Sequence, residues 1–327
     1  MSNRTFGRLG WPVGEIGYGM WGVGAGEGGW VGAEEDESLA ALQLAVNLGC
    51  TFFDTAWIYG RGHSEKLLGR LISANPDRRL YIATKIPPKD RAFPSTRESQ
   101  LSDVFPYDHI MEYTEKSLAN LGVDHIDLLQ FHVWEDKWVD DDEWLKSIDR
   151  LRASGVAEGI GISINRWEPW NGVRAVRSGL IDSVQVIYNI FDQAPDDELL
   201  PACRENGVAV IARVPFDEGM LTGSITRQTT WPDGDWRSSY FVPENLDASV
   251  SRVEALQTDL PEGVDLSSLA LRFILSNSDV STVIPGMRRS HHVRQNFACS
   301  SDAPLSAELT RTLRAHRWDR VPTEWSQ

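Results

Sequence analysis

Short apolar runs recur along the chain, each followed by a polar loop and then by an amphipathic segment. Neighbouring positions within a run are apolar, as in Leu128, Leu129 and Phe131, which is typical of parallel strands covered on both faces. Each unit spans roughly 35 to 40 residues, and eight can be counted. The predicted strands are Glu15 to Gly19, Thr51 to Asp54, Leu80 to Lys85, Ile126 to His132, Gly159 to Ser163, Ser183 to Tyr188, Ala209 to Arg213 and Thr282 to Ile284.

Between these runs the apolar positions follow the helical period. Glu37 to Leu48 and Tyr107 to Leu121 each place apolar side chains on one face, and Asp265 is an expected N-cap for a helix over Leu266 to Leu275. Eight strand and helix repeats favour a closed (β/α)8 barrel, an α/β fold of the TIM-barrel type. We therefore expect one barrel domain over residues 1–327, since no long linker interrupts the pattern.

The competing doubly wound fold predicts a glycine-rich turn that opens directly into a helix after the first strand. The glycine-rich loop from Gly22 to Gly32 is followed by further loop residues and not directly by a helix. The sequence therefore lacks the glycine-rich turn that the doubly wound fold requires. Four stretches fit longer loops at the carboxyl ends of the strands, where barrels place their active sites. They are Met20 to Glu34, Ile86 to Phe105, Val133 to Asp142 and Pro215 to Asn245.

Composition and charge narrow the function. The 32 Lys and Arg residues against 47 Asp and Glu give a net charge of −15, which disfavours nucleic acid and anionic membrane surfaces. No apolar run approaches the ~20 residues that span a bilayer, and the first residues do not resemble an export signal. Three cysteines without metal-type spacing predict neither disulfides nor a metal site, so we expect a cytoplasmic protein.

Ionisable side chains end three consecutive predicted strands. Asp54 ends the second, Lys85 the third and His132 the fourth, and Tyr59 follows Asp54 by five residues. Since neighbouring strands of a barrel end at one rim, these four groups are expected to converge. A strand-end Asp is often a loop anchor and an Asp–Lys pair is often only an ion pair. Three consecutive strands that each end in an ionisable residue are nevertheless better explained by a catalytic site than by a contribution to stability.

The residue types indicate proton transfer to a developing alkoxide. A phenol with a pKa near ~10 is a weak donor at neutral pH, and a nearby ammonium lowers that pKa. Lys85 is expected to do this to Tyr59, with Asp54 holding Lys85 charged and oriented. His132 is expected to donate a hydrogen bond to the substrate oxygen. Carbonyl reduction needs little else from the protein, since a nicotinamide cofactor supplies the hydride.

From about Phe6 to Ala298 the sequence resembles the aldo-keto reductase family. The motifs are F-F-D-T-A-x-x-Y-G from Phe52, S-E-K-L-L-G from Ser64, A-T-K ending at Lys85, and D-L-L-Q-F-H ending at His132. By this resemblance Asp54, Tyr59, Lys85 and His132 match the catalytic tetrad, with Tyr59 as the general acid. The resemblance implies reduction of an aldehyde or ketone to an alcohol, or the reverse.

The resemblance also implies cofactor contacts. Those near the nicotinamide are Asp54, Gly19, Met20, Trp21, Ser163, Asn165, Gln185 and, on the seventh strand, Arg213 with Pro215. Those near the adenosine phosphate and adenine are Gly286, Arg288, Gln295 and Asn296. Arg288, with Arg289 beside it in the same basic pair, would favour NADP(H), and NAD(H) is the alternative cofactor. An anion there would also gain from the backbone N–H groups at the start of the next helix.

Arg213 departs from the family pattern, in which an aromatic ring commonly stacks on the nicotinamide. A planar guanidinium can stack in its place, and binding of a substrate carboxylate is the alternative. Trp21, Trp57 and Trp134, which follow strand ends, are expected to line the substrate pocket together with Tyr59 and His132.

Two other functions fit the same residues. One is a slowly turning-over, redox-sensing module that binds the cofactor, and the other is an NAD-dependent sugar or polyol dehydrogenase. Turnover of simple aldehydes would distinguish a reductase from the redox-sensing module. No partner other than a small carbonyl or alcohol substrate is expected.

Overall fold

The computed structural model describes residues 2–24, 32, 34–321 and 323. Eight strands form one parallel sheet in the order β10-β9-β8-β7-β6-β5-β4-β3. Parallel bridges from Ile16 to Val283 and from Gly19 to Gly286 join the first and last strands, so the sheet closes. A side chain at Gly19 would lie 2.6 Å from the Ile284 carbonyl oxygen, which explains the glycine at this seam.

A separate antiparallel pair comprises β1 (Asn3–Phe6) and β2 (Trp11–Gly14). The barrel strands are β3 (Tyr18–Gly19), β4 (Phe52–Asp54), β5 (Tyr81–Ile86), β6 (Ile126–Phe131), β7 (Ala157–Ser163), β8 (Ser183–Ile187), β9 (Ala209–Arg213) and β10 (Thr282–Val283). The helices are α1 (Glu35–Asn47), α2 (His63–Ala74), α3 (Leu101–Val104), α4 (Tyr107–Leu121), α5 (Asp142–Ala153), α6 (Val173–Arg177), α7 (Leu199–Asn206), α8 (Arg237–Tyr240), α9 (Pro243–Thr258), α10 (Leu266–Leu275), α11 (Ser290–Ala298) and α12 (Ala307–Ala315).

The predicted α/β barrel is confirmed, with every predicted strand in place to within a few residues. The predicted helices at Tyr107–Leu121 and Leu266–Leu275 have the expected bounds. The Asp265 carboxylate accepts a hydrogen bond from the Ser267 amide at 3.1 Å, as expected of an N-cap. The first barrel strand is shorter than expected because Glu15 to Gly17 pair irregularly with the chain near Val283.

The N-terminal hairpin closes the bottom of the barrel. Phe6 and Trp11 stack with ring centroids 5.2 Å apart, and Phe6 also stacks on Phe52 at the start of β4. These rings pack among the lower barrel side chains in a small apolar cluster separate from the main core. The hairpin therefore fills the amino-terminal end of the barrel and leaves the carboxyl-terminal end as the accessible mouth.

The S-E-K-L-L-G motif packs α2 against β5 and α4. Glu65 is fully buried, and it accepts hydrogen bonds from the Thr84 hydroxyl at 2.6 Å and from the Asn120 amide at 2.8 Å. A side chain at Gly69 would lie 2.6 Å from the Leu121 carbonyl oxygen, so glycine permits close packing of α2 on α4. The motif thus holds β5, and with it the neighbouring Lys85, against two helices.

The four loops expected at the carboxyl ends of strands lie there and contain short helices, including α3 and α8. The loop after the first strand includes residues 25–31 and 33, which lie outside the described residues. Residues 25–31 belong to its glycine-rich part, Gly22 to Gly32. None of the described helices has the length and apolar character needed to cross a membrane.

Candidate active site

The parallel register brings the predicted strand-end groups to one rim. Asp54 lies beside Ala83 on β5, and Lys85 lies beside Gln130 on β6. His132 follows β6 directly, and its amide donates to the Ile86 carbonyl at 3.2 Å. The three strand-end side chains, of the four groups expected to converge, therefore lie at one rim.

Lys85 is the centre of this group. Its side chain is fully buried, and Nζ donates to Asp54 Oδ1 at 2.6 Å and to the Thr55 carbonyl at 2.7 Å. Nζ also lies 3.4 Å from the Tyr59 hydroxyl. Burial lowers the pKa of the ammonium, but Asp54 and Tyr59 outweigh burial and raise that pKa above its ordinary value. Lys85 is therefore a cation at neutral pH.

Two buried amides complete the Asp54 environment. Asp54 Oδ2 accepts hydrogen bonds from Gln130 Nε2 at 3.0 Å and from Gln185 Nε2 at 2.8 Å. Both carboxylate oxygens are thus bonded, which fixes the direction in which Asp54 holds Lys85. Gln130 was missed by sequence reasoning, although it lies in the D-L-L-Q-F-H motif two positions before His132. Gln185, expected near the carboxamide of the cofactor, contacts Asp54 here.

Tyr59 lies in the turn between β4 and α2. Its amide donates to the Ala56 carbonyl at 3.1 Å, and the neighbouring Thr55 and Ser64 hydroxyls are 2.8 Å apart. Burial raises the pKa of the phenol, and the positive charge of Lys85 opposes that rise. The expected lowering by Lys85 is present, but the net shift is upward because desolvation of the phenolate is the larger effect.

His132 faces Tyr59 across the mouth. The two rings meet edge to face with centroids 5.7 Å apart, and Nδ1 is buried without a hydrogen-bond partner among the described residues. Burial lowers the pKa of His132 well below its usual value, and the charges of Lys85 and Arg213 add to this effect. The imidazole is therefore neutral at pH 7 and can donate one N–H bond to a ligand.

We predict that His132 stays neutral over the physiological range. Its ring-proton NMR signals should not move between about pH 6 and pH 8, because protonation there would bury a third cation beside Lys85 and Arg213. Assignment by comparison with His132→Asn identifies the signals. A titration with its midpoint near the ordinary histidine value would contradict this prediction.

Aromatic rings surround the phenol and the imidazole. Trp21 stacks near Tyr59 with centroids 6.4 Å apart and contacts Trp236 at 4.9 Å, and Phe93 meets His132 edge to face at 5.1 Å. Phe93 was missed in the sequence, where the loop before α3 gives no sign of its direction. Its ring is 44% exposed, so it offers apolar surface to a ligand.

Two of the expected pocket tryptophans, Trp57 and Trp134, pack against other aromatic side chains. Trp57 packs edge to face on Tyr113 of α4 with centroids 4.7 Å apart. Trp134 has no exposed surface; it packs on Trp144, and its indole N–H donates to Asp136 at 2.9 Å. This position does not fit the substrate-lining role expected for Trp134, because a ring without exposed surface contacts no ligand in this conformation.

The residues expected near the nicotinamide follow the ends of β3 and β7. Met20 is fully buried, and its amide donates to the Asp54 carbonyl at 2.9 Å. Ser163 ends β7 beside Gln185. Asn165 Nδ2 contacts the Ser95 hydroxyl at 3.3 Å and Glu135 Oε1 at 3.1 Å, while its Oδ1 finds no partner among the described residues.

The residues expected around the adenosine phosphate lie just before α11 and within it. Gly286 is exposed and Arg288 is partly exposed, while the Asn296 side chain is buried. Burial, Arg237 and Arg289 lower the pKa of Arg288, which indicates a cluster of like charges. Gln295 Nε2 donates to Asp265 at 2.8 Å.

Arg213 ends β9, at the carboxyl end of the barrel strands. Its Nη2 donates to the Ile164 carbonyl at 3.1 Å, and its Nε is buried without a partner among the described residues. Burial and the neighbouring Arg166 lower its pKa to about 10, so it is still charged at pH 7. Pro215, two residues later, is buried.

These unpartnered atoms fit a polar ligand. His132 Nδ1, Asn165 Oδ1 and Arg213 Nε are buried without partners within the described ranges. Buried polar groups are normally hydrogen-bonded, so a carbonyl and a carboxamide are suitable ligands for them. A nicotinamide nucleotide and a small carbonyl compound together offer both groups.

At the other end of the barrel, a loose group of ligand-type side chains comprises His125, Asp127 and Glu158. Asp127 is paired with Arg79, and Glu158 accepts from the Trp11 indole at 3.0 Å. Their carboxylates are thus already engaged by protein donors.

Known proteins resemble this chain over most of its length. The model of the Aldo/keto reductase family matches residues 15–317. The NADH-specific methylglyoxal reductase of Escherichia coli is 28% identical over 91% of this chain and 95% of its own. The D-threo-aldose 1-dehydrogenase of a Pseudomonas species is 31% identical over 84% of this chain and 87% of its own.

A solved structure shows the same architecture. An aldo-keto reductase of Bacillus halodurans in its holo form superposes with a TM-score of 0.76 and 25% identity, and the match covers 100% of both chains. With this fold and the family match over residues 15–317, the chain belongs to the aldo/keto reductase family of NAD(P)H-dependent carbonyl oxidoreductases.

Proposed function

We propose that this protein reduces a small aldehyde or ketone to the alcohol with NADP(H), and that Tyr59 is the proton donor. The observation that carries this proposal is the buried Lys85 ammonium, 2.6 Å from Asp54 Oδ1 and 3.4 Å from the Tyr59 hydroxyl. The bound cofactor supplies the hydride. The residues of the chain have to orient the carbonyl, protonate the product oxygen and limit access of water.

Each side chain has a role in that proton transfer. Tyr59 gives its hydroxyl proton to the substrate oxygen, and the resulting phenolate lies beside the Lys85 cation until solvent returns a proton. Asp54 orients Lys85, while Gln130 and Gln185 orient Asp54. His132, neutral at pH 7, donates a hydrogen bond to the carbonyl oxygen and strengthens its polarisation.

The aromatic side chains at the mouth of the barrel favour small aldehydes as substrates. Trp21, Trp236 and Phe93 provide apolar rings around Tyr59 and His132, so the site favours a short carbonyl compound with an apolar end. The name of the methylglyoxal reductase supports small oxo-aldehydes as first compounds to test. The experiment is to measure NADPH oxidation with a panel of simple aldehydes and ketones.

The outcome of that panel separates three functions. Turnover of an aldehyde supports the reductase. Turnover only with an alcohol or sugar and the oxidised cofactor would favour a dehydrogenase, which the similarity to an aldose dehydrogenase makes the second candidate. Tight cofactor binding without turnover in either direction would favour a redox sensor.

Cofactor choice is expected to depend on Arg288. A charge-assisted contact to the extra phosphate of NADPH contributes roughly 1.5 to 3 kcal/mol, which is about one to two decades in affinity. Arg288→Ala should therefore weaken NADPH binding by about that factor and leave NADH nearly unaffected. The dissociation constants of both nucleotides, measured by quenching of tryptophan fluorescence, check this prediction.

Arg289→Ala is the matched control. Arg289 Nε lies 3.7 Å from Glu37 Oε2, and its side chain is more exposed, so its loss should matter less. Equal losses of NADPH and NADH affinity in Arg288→Ala would mean that Arg288 acts structurally. Tighter binding of NADH than NADPH by the wild type would overturn the cofactor preference.

A further inference from the structure

The position of Arg213 bears on the direction of the reaction. In the sheet order, β9 is four strands away from β5, so in a closed barrel of eight strands the two lie on opposite sides. Arg213 ends β9, whereas Lys85 lies on β5. Arg213 therefore lies across the barrel mouth from Lys85.

The acidic residues that follow Arg213 neutralise other cations. Glu218 Oε1 lies 2.5 Å from Arg166 Nη2, and Asp217 Oδ1 lies 2.7 Å from Arg320 Nη2. In the part of the chain that the structure describes, Arg213 has no ion pair, and its one hydrogen bond goes to the neutral Ile164 carbonyl.

The charge of Arg213 reaches the reacting groups. Burial has the largest effect on the pKa of His132 and on that of Tyr59, and the charge of Arg213 adds a smaller downward effect on each. Asp54 also faces the mouth, but its charge is balanced by Lys85 at 2.6 Å. Asp54 therefore pairs with Lys85 and not with Arg213.

We propose that Arg213 discriminates between the oxidation states of the cofactor: its guanidinium, across the barrel mouth from Lys85 and without a carboxylate at ion-pair distance among the described residues, disfavours the positively charged oxidised nicotinamide and biases the enzyme toward carbonyl reduction. This inference rests on the proposed function. The oxidised ring carries one positive charge and the reduced ring carries none, so only the oxidised form is repelled. The guanidinium plane can still pack against either ring.

The expected effect appears in binding, before any turnover. The wild type should bind NADPH more tightly than NADP⁺, and Arg213→Met should reduce that ratio by at least about tenfold, which corresponds to about 1.4 kcal/mol. Methionine keeps an unbranched side chain of similar reach and removes the charge. Arg213→Lys, the matched control, keeps the charge and should largely keep the ratio.

Dissociation constants of both nucleotides are measured by quenching of tryptophan fluorescence, with thermal unfolding to confirm that each variant is folded. An unchanged ratio in folded Arg213→Met, or a ratio in Arg213→Lys reduced as far as in Arg213→Met, would overturn the proposal. An unchanged ratio together with a raised KM for glyoxylate, but not for methylglyoxal, would assign Arg213 to a substrate carboxylate instead. Failure of the wild type to bind either nucleotide would contradict the proposed function itself.

Discussion

Replacing Tyr59 with phenylalanine is expected to lower the rate of carbonyl reduction by at least about 10²- to 10⁴-fold, the usual contribution of general acid catalysis. The change removes one hydroxyl, 3.4 Å from Lys85 Nζ, and keeps the ring that contacts Trp21 and His132. Cofactor affinity should be unchanged, because the phenol is proposed to make no essential contact with the nucleotide. Single-turnover kinetics and nucleotide binding check the two parts separately.

Tyr81→Phe is the matched control for this change. Tyr81 begins β5, four positions before Lys85, and its ring stacks on Trp11 at the closed end of the barrel. Removal of the Tyr81 hydroxyl should leave the rate of carbonyl reduction near that of the wild type. A Tyr59→Phe enzyme that also retained near-normal turnover would show that another group donates the proton.

Lys85→Met is expected to damage both activity and stability. Lys85 and Asp54 are almost completely buried, so removal of the cation leaves a buried carboxylate without its partner. Breaking such a pair typically costs ~3 to 5 kcal/mol in the free energy of unfolding. The turnover loss should approach that of Tyr59→Phe, because the phenolate loses the cation that stabilises it. Denaturant unfolding and steady-state kinetics measure the two effects.

A double variant separates folding from chemistry. Asp54→Asn combined with Lys85→Met removes both charges, so it should recover much of the stability lost in Lys85→Met without recovering the activity. If activity returned together with stability, Lys85 would be only a structural residue.

The pH profile gives an independent readout of Lys85. Tyr59 must be protonated to act as an acid, so the reduction rate falls as pH rises through its pKa. Lys85 lowers that pKa, and in Lys85→Met the alkaline limb should therefore move to higher pH if measurable activity remains. An unmoved limb would mean that Lys85 does not tune the phenol.

The sequence predicted the elements of the site better than the contacts among them. Asp54, Lys85 and His132 could be assigned to strand ends because apolar runs give strand positions, and parallel strands end at one rim. The hydrogen bonds that Gln130 and Gln185 make to Asp54 could not be predicted, because an amide within a buried strand shows no preferred partner in the sequence. The N-terminal hairpin was missed because its two strands have only four residues each.

Loop side chains were the least predictable part. Trp134 follows a strand end as Trp21 follows another, yet Trp134 is buried in the core while Trp21 borders Tyr59. The pairing of Arg166 with Glu218 joins two loops that are 52 positions apart in sequence. Such contacts depend on how the loops fold over the barrel, and neither hydrophobic period nor residue spacing encodes that directly.

The most direct test of the central assignment follows an isotope from cofactor to product. The wild type is incubated with methylglyoxal or another aldehyde from the panel and with NADPH deuterated at the transferable position, and the product is analysed by mass spectrometry. The assignment predicts an alcohol with one deuterium on the former carbonyl carbon, and a rate of labelled product that falls by at least about 10²-fold in Tyr59→Phe. Cofactor consumption without labelled alcohol, or labelled alcohol formed equally fast by Tyr59→Phe, would contradict it.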